Sequence, residues 1–244
     1  MQQLSQPFAL TGTRNTRELG GYRTRSGLVL KTHSILRSDA LHNLSQEDAD
    51  RLSEYGLRCV IDLRFPDEIE RFPDRIGLFN PAVRYETYSL QDPVKRTKYT
   101  AEFPPSMWEL YCWMLDESQA EFRAILETIA AFPDRCVLFH CTGGKDRTGM
   151  VTMLLLLLAG VDEETVIADY ALTETVMKEL FVQQTEELES RGFTVPAYIM
   201  QSPPSNMEKT IRHLKRDYGS AVDYMAKIGL NQTTIKVLKE KLCP

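Results

Sequence analysis

The sequence predicts an α/β protein with a short, mainly parallel central sheet and helices on both faces. Two short apolar runs each follow a helical segment, and this alternation of helices and strands favours a parallel sheet. A glycine-rich loop joins the second run to a helix that is apolar all round, which is typical of a buried helix. With 244 residues, 43% of them hydrophobic, the chain can form one sizeable core, so we expect a single domain over residues 1–244.

The first elements are a hairpin and a helix that leads into a strand. Turn residues at Gly20-Gly21 and Ser26-Gly27, with possible short strands at Val29-Leu30 and Ser34-Ile35-Leu36, favour the hairpin. Ser45 and Asp48 resemble a capping box at the start of a helix, and Gly56 stands where that helix would end. The apolar segment from Leu57 to Ile61 then suits a strand inside a sheet.

A second helix and strand follow. Residues 120–131 have helical character, and the apolar run from Cys136 to Phe139 predicts a second strand. The loop 140–149 comes next, and then the apolar helix from Met150 to Ala159. The apolar run spans about 12 residues, against the roughly 20 that a membrane-spanning helix needs, so we expect no integral membrane segment.

The last third of the chain is predicted to be mostly helical. Residues 162 to about 190 are acidic and too sparsely apolar for a fully buried element, so we expect a helical, lid-like insertion over about 162–205. Asn206 and Asn231 are predicted to cap the two final helices.

Charge, cysteine content and the N-terminus exclude several classes of protein. The net charge of -5 provides no electrostatic basis for binding nucleic acid. Five cysteines without a C-x-x-C pair argue against a disulfide framework and a structural zinc site. The first ten residues lack the features of a secretory signal, which favours the cytoplasm and leaves open export by a signal-independent route.

Groups suited to phosphate chemistry stand in the loop between the second strand and the apolar helix, His140-Cys141-Thr142-Gly143-Gly144-Lys145-Asp146-Arg147-Thr148-Gly149. Gly143 and Gly144 allow successive backbone N–H groups to converge on an oxyanion at the helix N-terminus. Arg147 can donate from its planar guanidinium to two phosphoryl oxygens at once. Cys141 lies at a helix N-terminus near this arginine, where a thiol is expected to ionise near neutral pH and act as a nucleophile.

Two other interpretations of this loop fit less well. A nucleotide-binding P-loop requires Ser or Thr after its lysine, but Asp146 follows Lys145, and Phe139 occupies the first glycine position. A glycine-rich turn with an inert cysteine does not explain why His-Cys is followed, after five residues, by Arg-Thr-Gly. We therefore favour a nucleophile and an anion receptor in one loop.

The segment resembles the H-C-x5-R-[ST] signature of the cysteine-dependent phosphatases. Its longer form, HCTGGKDRTG, is similar to the atypical bacterial branch of tyrosine, dual-specificity and lipid phosphatases related to mycobacterial tyrosine phosphatase B. The resemblance implies a protein tyrosine phosphatase-like fold and hydrolysis of phosphomonoesters without a metal or other cofactor. Further short segments agree with that branch and extend the resemblance over most of the chain: residues 15–22, residues 36–39, Asp62-Leu63-Arg64 with Glu68, and Asp169-Tyr170.

The resemblance also implies a two-step mechanism through a phosphocysteine. Cys141 would attack phosphorus while Arg147 and the backbone amides of the loop hold the phosphoryl oxygens. Thr148 would hydrogen-bond the Cys141 sulfur and assist its departure, and His140 would shape the loop. The other expected phosphate-binding positions are Thr142, Gly143, Gly144 and Lys145.

The general acid is left open by the sequence. Many relatives use the aspartate of a Trp-Pro-Asp loop, and this sequence has no such tripeptide. In the resembled branch the aspartate inside the loop serves in acid–base catalysis, which favours Asp146. Asp62, directly after the first predicted strand, is expected at the same sheet edge as Cys141 and is the alternative. Asp67 and Asp74 are expected to be solvated surface carboxylates.

The substrate is left open between two classes. A protein-tyrosine or dual-specificity phosphatase is the leading hypothesis. A phosphoinositide or inositol-phosphate phosphatase is the alternative, because Lys145 adds a second cation to the loop and residues 95–99 form a small basic patch. A catalytically silent module that binds phosphorylated ligands is a further alternative, which the intact Cys, Arg and Thr of the loop disfavour.

Overall fold

The computed structural model describes residues 7–90, 104–190, 192 and 194–244, and a five-stranded sheet lies at its centre. The strands are β1 (Arg17–Glu18), β2 (Ile35–Ser38), β3 (Leu57–Asp62), β4 (Arg84–Thr87) and β5 (Cys136–His140). Their order across the sheet is β1-β2-β5-β3-β4. Only β1 is antiparallel to its neighbour in these pairings, so the predicted mainly parallel sheet is confirmed.

Helices cover both faces of the sheet, as the α/β prediction requires. They are α1 (Gln46–Glu54), α2 (Pro66–Arg71), α3 (Ile76–Phe79), α4 (Met107–Glu117), α5 (Gln119–Ala130), α6 (Asp146–Ala159), α7 (Glu163–Ser190), α8 (Pro204–Tyr218), α9 (Ala221–Lys227) and α10 (Gln232–Leu242). Because side chains alternate along a strand, Val60 packs in a small core with α1 and α3, whereas Ile61 packs in a larger core with α4 to α10.

The register of the parallel strands brings their carboxyl ends to one edge of the sheet. Ser38 of β2 and Asp62 of β3 both stand opposite His140 of β5. The segments that follow these three strands therefore leave the sheet side by side, at the edge where parallel sheets bind their ligands. Cys141 is the first residue beyond β5, so the loop predicted to bind phosphate begins there.

Capping side chains explain where several of the helices begin. Ser45 and Asp48 form the predicted capping box of α1, and Asn231 caps α10 as expected. The prediction that Asn206 caps a helix is wrong. α8 begins two residues earlier at Pro204, because the fixed φ of proline suits the first helical turn.

The region predicted as a helical insertion contains the 28-residue helix α7 and a 3₁₀ turn at Ala197–Ile199. The buried residues of α7 end at Phe181, and beyond it the helix is largely exposed. We name residues 174–190 together with 194–201 the cover. Through Phe181 the cover lies against the loop that follows β5.

Three expectations concern peripheral segments. Of the two strands expected for the hairpin, the segment at Ser34-Ile35-Leu36 lies largely in β2. In the other, Val29 forms an isolated β-bridge with Arg23. None of the described helices is long and apolar enough to cross a membrane. The basic patch at residues 95–99 lies outside the described residues.

Candidate active site

The phosphate loop, residues 141–147, connects the end of β5 to the start of α6. Gly144 in this loop has a φ of +63°, in the left-handed region that favours glycine. A Cβ at this position would lie 2.6 Å from the carbonyl oxygen of Ser38 and 2.8 Å from the backbone nitrogen of Asp39. Glycine therefore permits the turn and also allows the loop to approach the end of β2 closely.

Four successive carbonyl groups of the phosphate loop are engaged by the sheet and the segments beside it. In a trans peptide the next N–H points opposite to the carbonyl, so the amides of residues 142–145 point away from these partners. This arrangement is a cradle for an oxyanion. The contacts are His140 Nδ1 with Cys141 O (3.2 Å), Ala40 N to Thr142 O (3.1 Å), Asn15 Nδ2 to Gly143 O (3.0 Å) and Gly144 O (3.2 Å), and Arg37 Nη2 to Gly144 O (2.6 Å).

A buried ion cluster supports the donors to the loop. Arg17 and Arg37 both pair with Asp169 of α7, and the Tyr22 hydroxyl donates to the same carboxylate at 2.8 Å. Burial opposes ionisation of Asp169, but the charges of Arg37 and Arg17 lower its pKa below the ordinary value. Arg17 also donates to the side-chain oxygen of Asn15, which orients the Asn15 amide nitrogen toward the loop. These residues come from three of the short segments that agree with the resembled branch: residues 15–22, residues 36–39 and Asp169-Tyr170. The structure shows that all three segments help to orient the phosphate loop, a role that the sequence analysis did not assign to them.

The predicted nucleophile, Cys141, is 2% exposed at the end of β5. The preceding residue, His140, is fully buried and forms an ion pair with Asp74 at 2.9 Å. Burial alone would lower the pKa of His140, but the carboxylates of Asp74 and Asp62 raise it to about 9. The imidazole is therefore charged at neutral pH, and its Nδ1 can donate to the Cys141 carbonyl. This contact gives His140 the loop-shaping position that the resemblance implies.

The expectation that Asp74 is a solvated surface carboxylate is wrong. Its side chain is 1% exposed, and besides its contact with His140 it accepts a hydrogen bond from Leu41 N (2.9 Å) and lies 2.8 Å from the Tyr85 hydroxyl. The charged sequence around Asp74 does not show that the chain returns to the sheet edge at this point. Asp67, by contrast, is exposed as expected.

Arg147 is held at the end of the loop by Glu68 of α2. Its Nη1 and Nη2 donate to the two carboxylate oxygens at 2.6 and 3.0 Å. The Thr142 hydroxyl donates to the same carboxylate at 2.5 Å. Burial acts against both charges, yet their hydrogen bonds and mutual attraction lower the pKa of Glu68 to about 2 and raise the pKa of Arg147. Glu68 therefore fixes the orientation of a permanently charged guanidinium.

Asp146, the favoured general acid, is the first residue of α6, and its side chain is 30% exposed. The Tyr111 hydroxyl of α4 donates to its Oδ1, and Lys145 Nζ lies 3.7 Å from that oxygen. Within the part of the chain that the structure describes, Oδ2 makes no hydrogen bond. One carboxylate oxygen is therefore fixed and the other is available.

Asp62, the alternative acid, is fully buried at the predicted sheet edge. Its two oxygens accept from Arg64, with Nη2 at 2.7 Å, and from the Tyr85 hydroxyl at 2.6 Å. Ligand-type atoms of Asp62, Asp74 and His140 lie within 4.8 Å of one another, but Arg64 Nη2 already lies 2.7 and 3.0 Å from the two carboxylates. The structure thus brings Asp62 to Arg64 and His140, whereas Asp146 belongs to the phosphate loop itself.

Lys145 is directed toward the cover. Its Nζ donates to the carbonyl oxygens of Ile199 and Gln201, the latter at 3.1 Å, and the side chain is 3% exposed. The Phe181 ring lies 5.6 Å from Nζ and 3.4 Å from where a Cβ on Gly143 would stand. The second cation of the loop is therefore bound to backbone carbonyls in this structure.

Thr148 is fully buried, and its hydroxyl has no hydrogen-bond partner among the described residues. The expected hydrogen bond to the Cys141 sulfur is therefore not formed in this structure. Two aromatic rings that sequence reasoning did not single out lie beside the loop instead. Phe65 stands 5.0 Å from the Arg147 guanidinium, and Phe181 contacts the loop from the cover.

Comparison with known proteins supplies the family. The family model described as the tyrosine phosphatase family matches residues 8–244. A tyrosine-protein phosphatase of Nostoc commune is 32% identical over 223 residues, which make up 88% of this chain and 76% of that protein. The triple specificity protein phosphatase PtpB of Mycobacterium tuberculosis is 25% identical over 135 residues, 50% of this chain and 48% of the relative. The crystal structure of TpbA from P. aeruginosa aligns over 83% of this chain and 91% of its own, with a TM-score of 0.42 and 16% identity. The chain therefore belongs to the tyrosine phosphatase family and is a cysteine-dependent phosphatase.

Proposed function

We propose that this protein hydrolyses phosphate monoesters on protein tyrosine residues through a phosphocysteine, without a metal ion. The observation that carries the proposal is the row of four engaged carbonyls, which leaves the amides of residues 142–145 pointing away from the carbonyls' partners and free to bind an oxyanion. Arg147 ends the same loop and adds a fixed positive charge. Together these groups complement the three non-bridging oxygens of a phosphoryl group.

In the first step the Cys141 thiolate attacks phosphorus, and the ester P–O bond breaks as the S–P bond forms. Arg147 and the loop amides hold the phosphoryl oxygens, and protonated Asp146 gives its proton to the departing oxygen. In the second step a water molecule attacks phosphorus, Asp146 takes a proton from it, and the S–P bond breaks. Inorganic phosphate leaves, and the thiolate is restored. The buried hydroxyl of Thr148, which has no partner among the described residues, is available to donate to the departing sulfur.

Protein phosphotyrosine is favoured over phosphoinositides as the substrate. Phe65 stands beside Arg147, where an aromatic ring can pack against the ring of a bound phosphotyrosine. Lys145, on which the phosphoinositide alternative depends, is bound to the carbonyls of Ile199 and Gln201. A second phosphate group on a phosphoinositide would have to compete with those carbonyls for the Lys145 ammonium. The relative named a triple specificity protein phosphatase supports action on phosphorylated proteins and leaves room for more than one type of phosphorylated residue.

The test is initial-rate phosphate release in the presence of EDTA. The substrates are a phosphotyrosine peptide, a phosphoserine peptide and phosphoinositide vesicles, and the proteins are the wild type and the variants Cys141→Ser and Cys243→Ser. Cys243 is buried like Cys141 but lies at the end of α10, so its variant controls for the loss of a buried thiol. We expect turnover of the phosphotyrosine peptide by the wild type and Cys243→Ser, and none by Cys141→Ser.

Phosphate release that survives in Cys141→Ser would contradict the phosphocysteine mechanism. Faster release from phosphoinositides than from phosphotyrosine would replace the substrate assignment with the lipid alternative. Binding of the phosphotyrosine peptide without turnover by the wild type would indicate a silent binding module.

A further inference from the structure

A chain of buried polar side chains ends on Asp146. Tyr111 of α4 donates to Asp146 Oδ1, and its hydroxyl oxygen lies 2.9 Å from that of Tyr170 on α7. Asn206 of α8 extends the chain, with its amide nitrogen 3.4 Å from the Tyr170 hydroxyl. The prediction that Asn206 caps α8 failed, and this contact gives its side chain another role. Side chains from three helices thus form a hydrogen-bonded chain that ends on one carboxylate oxygen.

The chemistry of the members fixes the direction of these hydrogen bonds. A phenol has one proton to donate, and Tyr111 gives its proton to the carboxylate, so it must accept from Tyr170. Tyr170 in turn has no second proton, so it accepts from the amide N–H of Asn206. The donors therefore run from Asn206 through Tyr170 and Tyr111 to Asp146, each polarising the next.

The two phenols of this hydrogen-bonded chain are closely packed and stay protonated. Tyr111 and Tyr170 are at most 1% exposed, and their rings pack edge to face with centroids 5.8 Å apart. Burial and the nearby Asp146 carboxylate raise the pKa of both phenols well above the ordinary value. Neither ring can release its proton near neutral pH, so both act as fixed donors.

We propose that Tyr111, Tyr170 and Asn206 are positioning residues that hold Oδ1 of Asp146, so that Oδ2 is the oxygen that transfers the proton. This inference rests on the proposed role of Asp146 as the general acid. A carboxyl group anchored through one oxygen loses rotation about its terminal bond, and its other oxygen keeps one direction relative to the phosphate loop. Correct orientation of this kind supplies part of the rate gain from acid catalysis.

Loss of the anchor has a specific kinetic consequence. A leaving group that is already stable as an anion, such as nitrophenolate, needs little protonation in the transition state. An unactivated phenolate, like the one from tyrosine, needs the proton. Weakening the acid therefore slows unactivated substrates more than activated ones, and leaves substrate binding unchanged.

The experiment measures kcat/KM, which reports the first chemical step even where hydrolysis of the phosphocysteine limits kcat, for aryl phosphates that range from nitrophenyl to unsubstituted phenyl. The proteins are the wild type, Tyr111→Phe, Tyr170→Phe, Asp146→Asn and the double variant Asp146→Asn with Tyr111→Phe. Tyr224→Phe is the matched control, because Tyr224 is also fully buried and donates its hydroxyl to Leu115 O at 3.0 Å, away from the loop. Thermal unfolding of every variant shows whether it is folded.

For Tyr111→Phe we expect kcat/KM to fall about tenfold on phenyl phosphate and less than about threefold on nitrophenyl phosphate, a part of the roughly 10²–10⁴-fold that acid catalysis supplies. Tyr170→Phe should show a smaller loss with the same leaving-group dependence, and Tyr224→Phe should show none. The double variant should be no slower than Asp146→Asn, because the chain acts only through that carboxylate.

The experiment distinguishes failure of the general-acid assignment from failure of the positioning role. If Asp146→Asn lowers kcat/KM equally for all substrates, the proposed general acid is wrong. If Asp146→Asn shows the leaving-group dependence but folded Tyr111→Phe and Tyr170→Phe do not, Asp146 remains the acid and the positioning role is refuted. A double variant much slower than Asp146→Asn would also refute it, since Tyr111 would then act by another route.

Discussion

The buried charged side chains around the phosphate loop form clusters in which opposite charges are paired. Asp169 lies between Arg17 and Arg37, and Arg64 lies against two carboxylates that also contact His140. Removing one partner of such a group leaves an unpaired buried charge, which costs about 3–5 kcal/mol. Because replacing whole pairs by apolar residues is often neutral, we interpret these groups as devices for orientation rather than for stability.

The ion pair of His140 and Asp74 predicts how stability depends on pH. The pKa of His140 is about 9 in the folded protein and returns to about 6.5 on unfolding. Below pH 6.5 both states hold the proton, and the stabilisation is fully present; it is lost as pH rises through about 9. The free energy of unfolding of the wild type should fall across this window, with a slope approaching about 1.4 kcal/mol per pH unit.

Urea unfolding at several pH values checks this expectation, with Asp74→Asn as the comparison. The variant lacks the charge that holds the proton on His140, so its stability should be lower at neutral pH and should decline less between pH 6.5 and 9. Equal slopes for the wild type and the variant would show that Asp74 does not hold the proton on His140.

The geometry of the Arg147 guanidinium predicts that lysine cannot replace it. Arg147 meets both oxygens of Glu68, and in the proposed mechanism its planar guanidinium also donates to the phosphoryl group, whereas a lysine has a single charged nitrogen. We expect kcat of Arg147→Lys on a phosphotyrosine peptide to fall about 10²–10³-fold, the effect of losing an oxyanion donor. Arg123→Lys is the control, because Arg123 forms an exposed pair with Glu127 on α5. A loss of less than about threefold for Arg147→Lys would mean that charge alone suffices.

At the level of elements, the turn from β5 into α6 requires a residue that can adopt a positive φ at position 144 and that lets the loop pass close to the end of β2. Gly144 and Gly27 both have positive φ, but only at Gly144 would a Cβ collide with backbone atoms, whereas nothing lies within 4 Å of one at Gly27. We expect Gly27→Ala to cost about 1 kcal/mol of unfolding free energy from the positive φ alone. Gly144→Ala should cost about 3 kcal/mol and abolish most activity, because the loop must move away from β2.

Denaturant midpoints and steady-state rates of the two glycine variants test this difference. Similar losses of stability, or full activity in Gly144→Ala, would show that the loop tolerates displacement from Ser38.

The elements predicted from the sequence are those with local signals. The strands at Leu57 and Cys136 have apolar runs, and α1 and α10 have capping side chains, so these elements were found with small errors at their ends. The prediction did not include β1 or β4. β1 has two residues, and β4 has no fully buried side chain, so pairing with the sheet rather than a local pattern defines them.

The site was predictable where one loop carries it. The phosphate loop and Thr148 after it are continuous in sequence, and their residue types indicate their chemistry directly. Asp74 and Tyr111 come from distant segments, and a buried carboxylate or phenol has no sequence pattern that separates it from a surface one. The contacts of Asp74 arise only where the carboxyl ends of the strands meet, and those of Tyr111 only where α4 meets the start of α6 and Tyr170 of α7.

On the scale of the whole molecule, the cover meets the phosphate loop through few contacts. The sheet lies between two cores, while the second half of α7 extends beyond them. Phe181 against Gly143, and the Lys145 ammonium on the carbonyls of Ile199 and Gln201, join the cover to the loop. A region with few buried apolar contacts opens more readily than the core.

These contacts predict that Phe181 holds the cover closed. Its ring is 7% exposed, whereas its neighbour Val182 is 51% exposed and offers a matched control. Removing the buried ring in Phe181→Ala should weaken the closed position by about 3 kcal/mol and speed amide exchange in residues 174–190 about 100-fold. Val182→Ala should leave that exchange unchanged, and the amides of β3 and β5 should exchange slowly in both variants. Hydrogen–deuterium exchange followed by mass spectrometry measures these rates. Equal exchange of the cover in the two variants would show that Phe181 does not hold it, and faster exchange in β5 as well would show that the ring stabilises the whole fold instead.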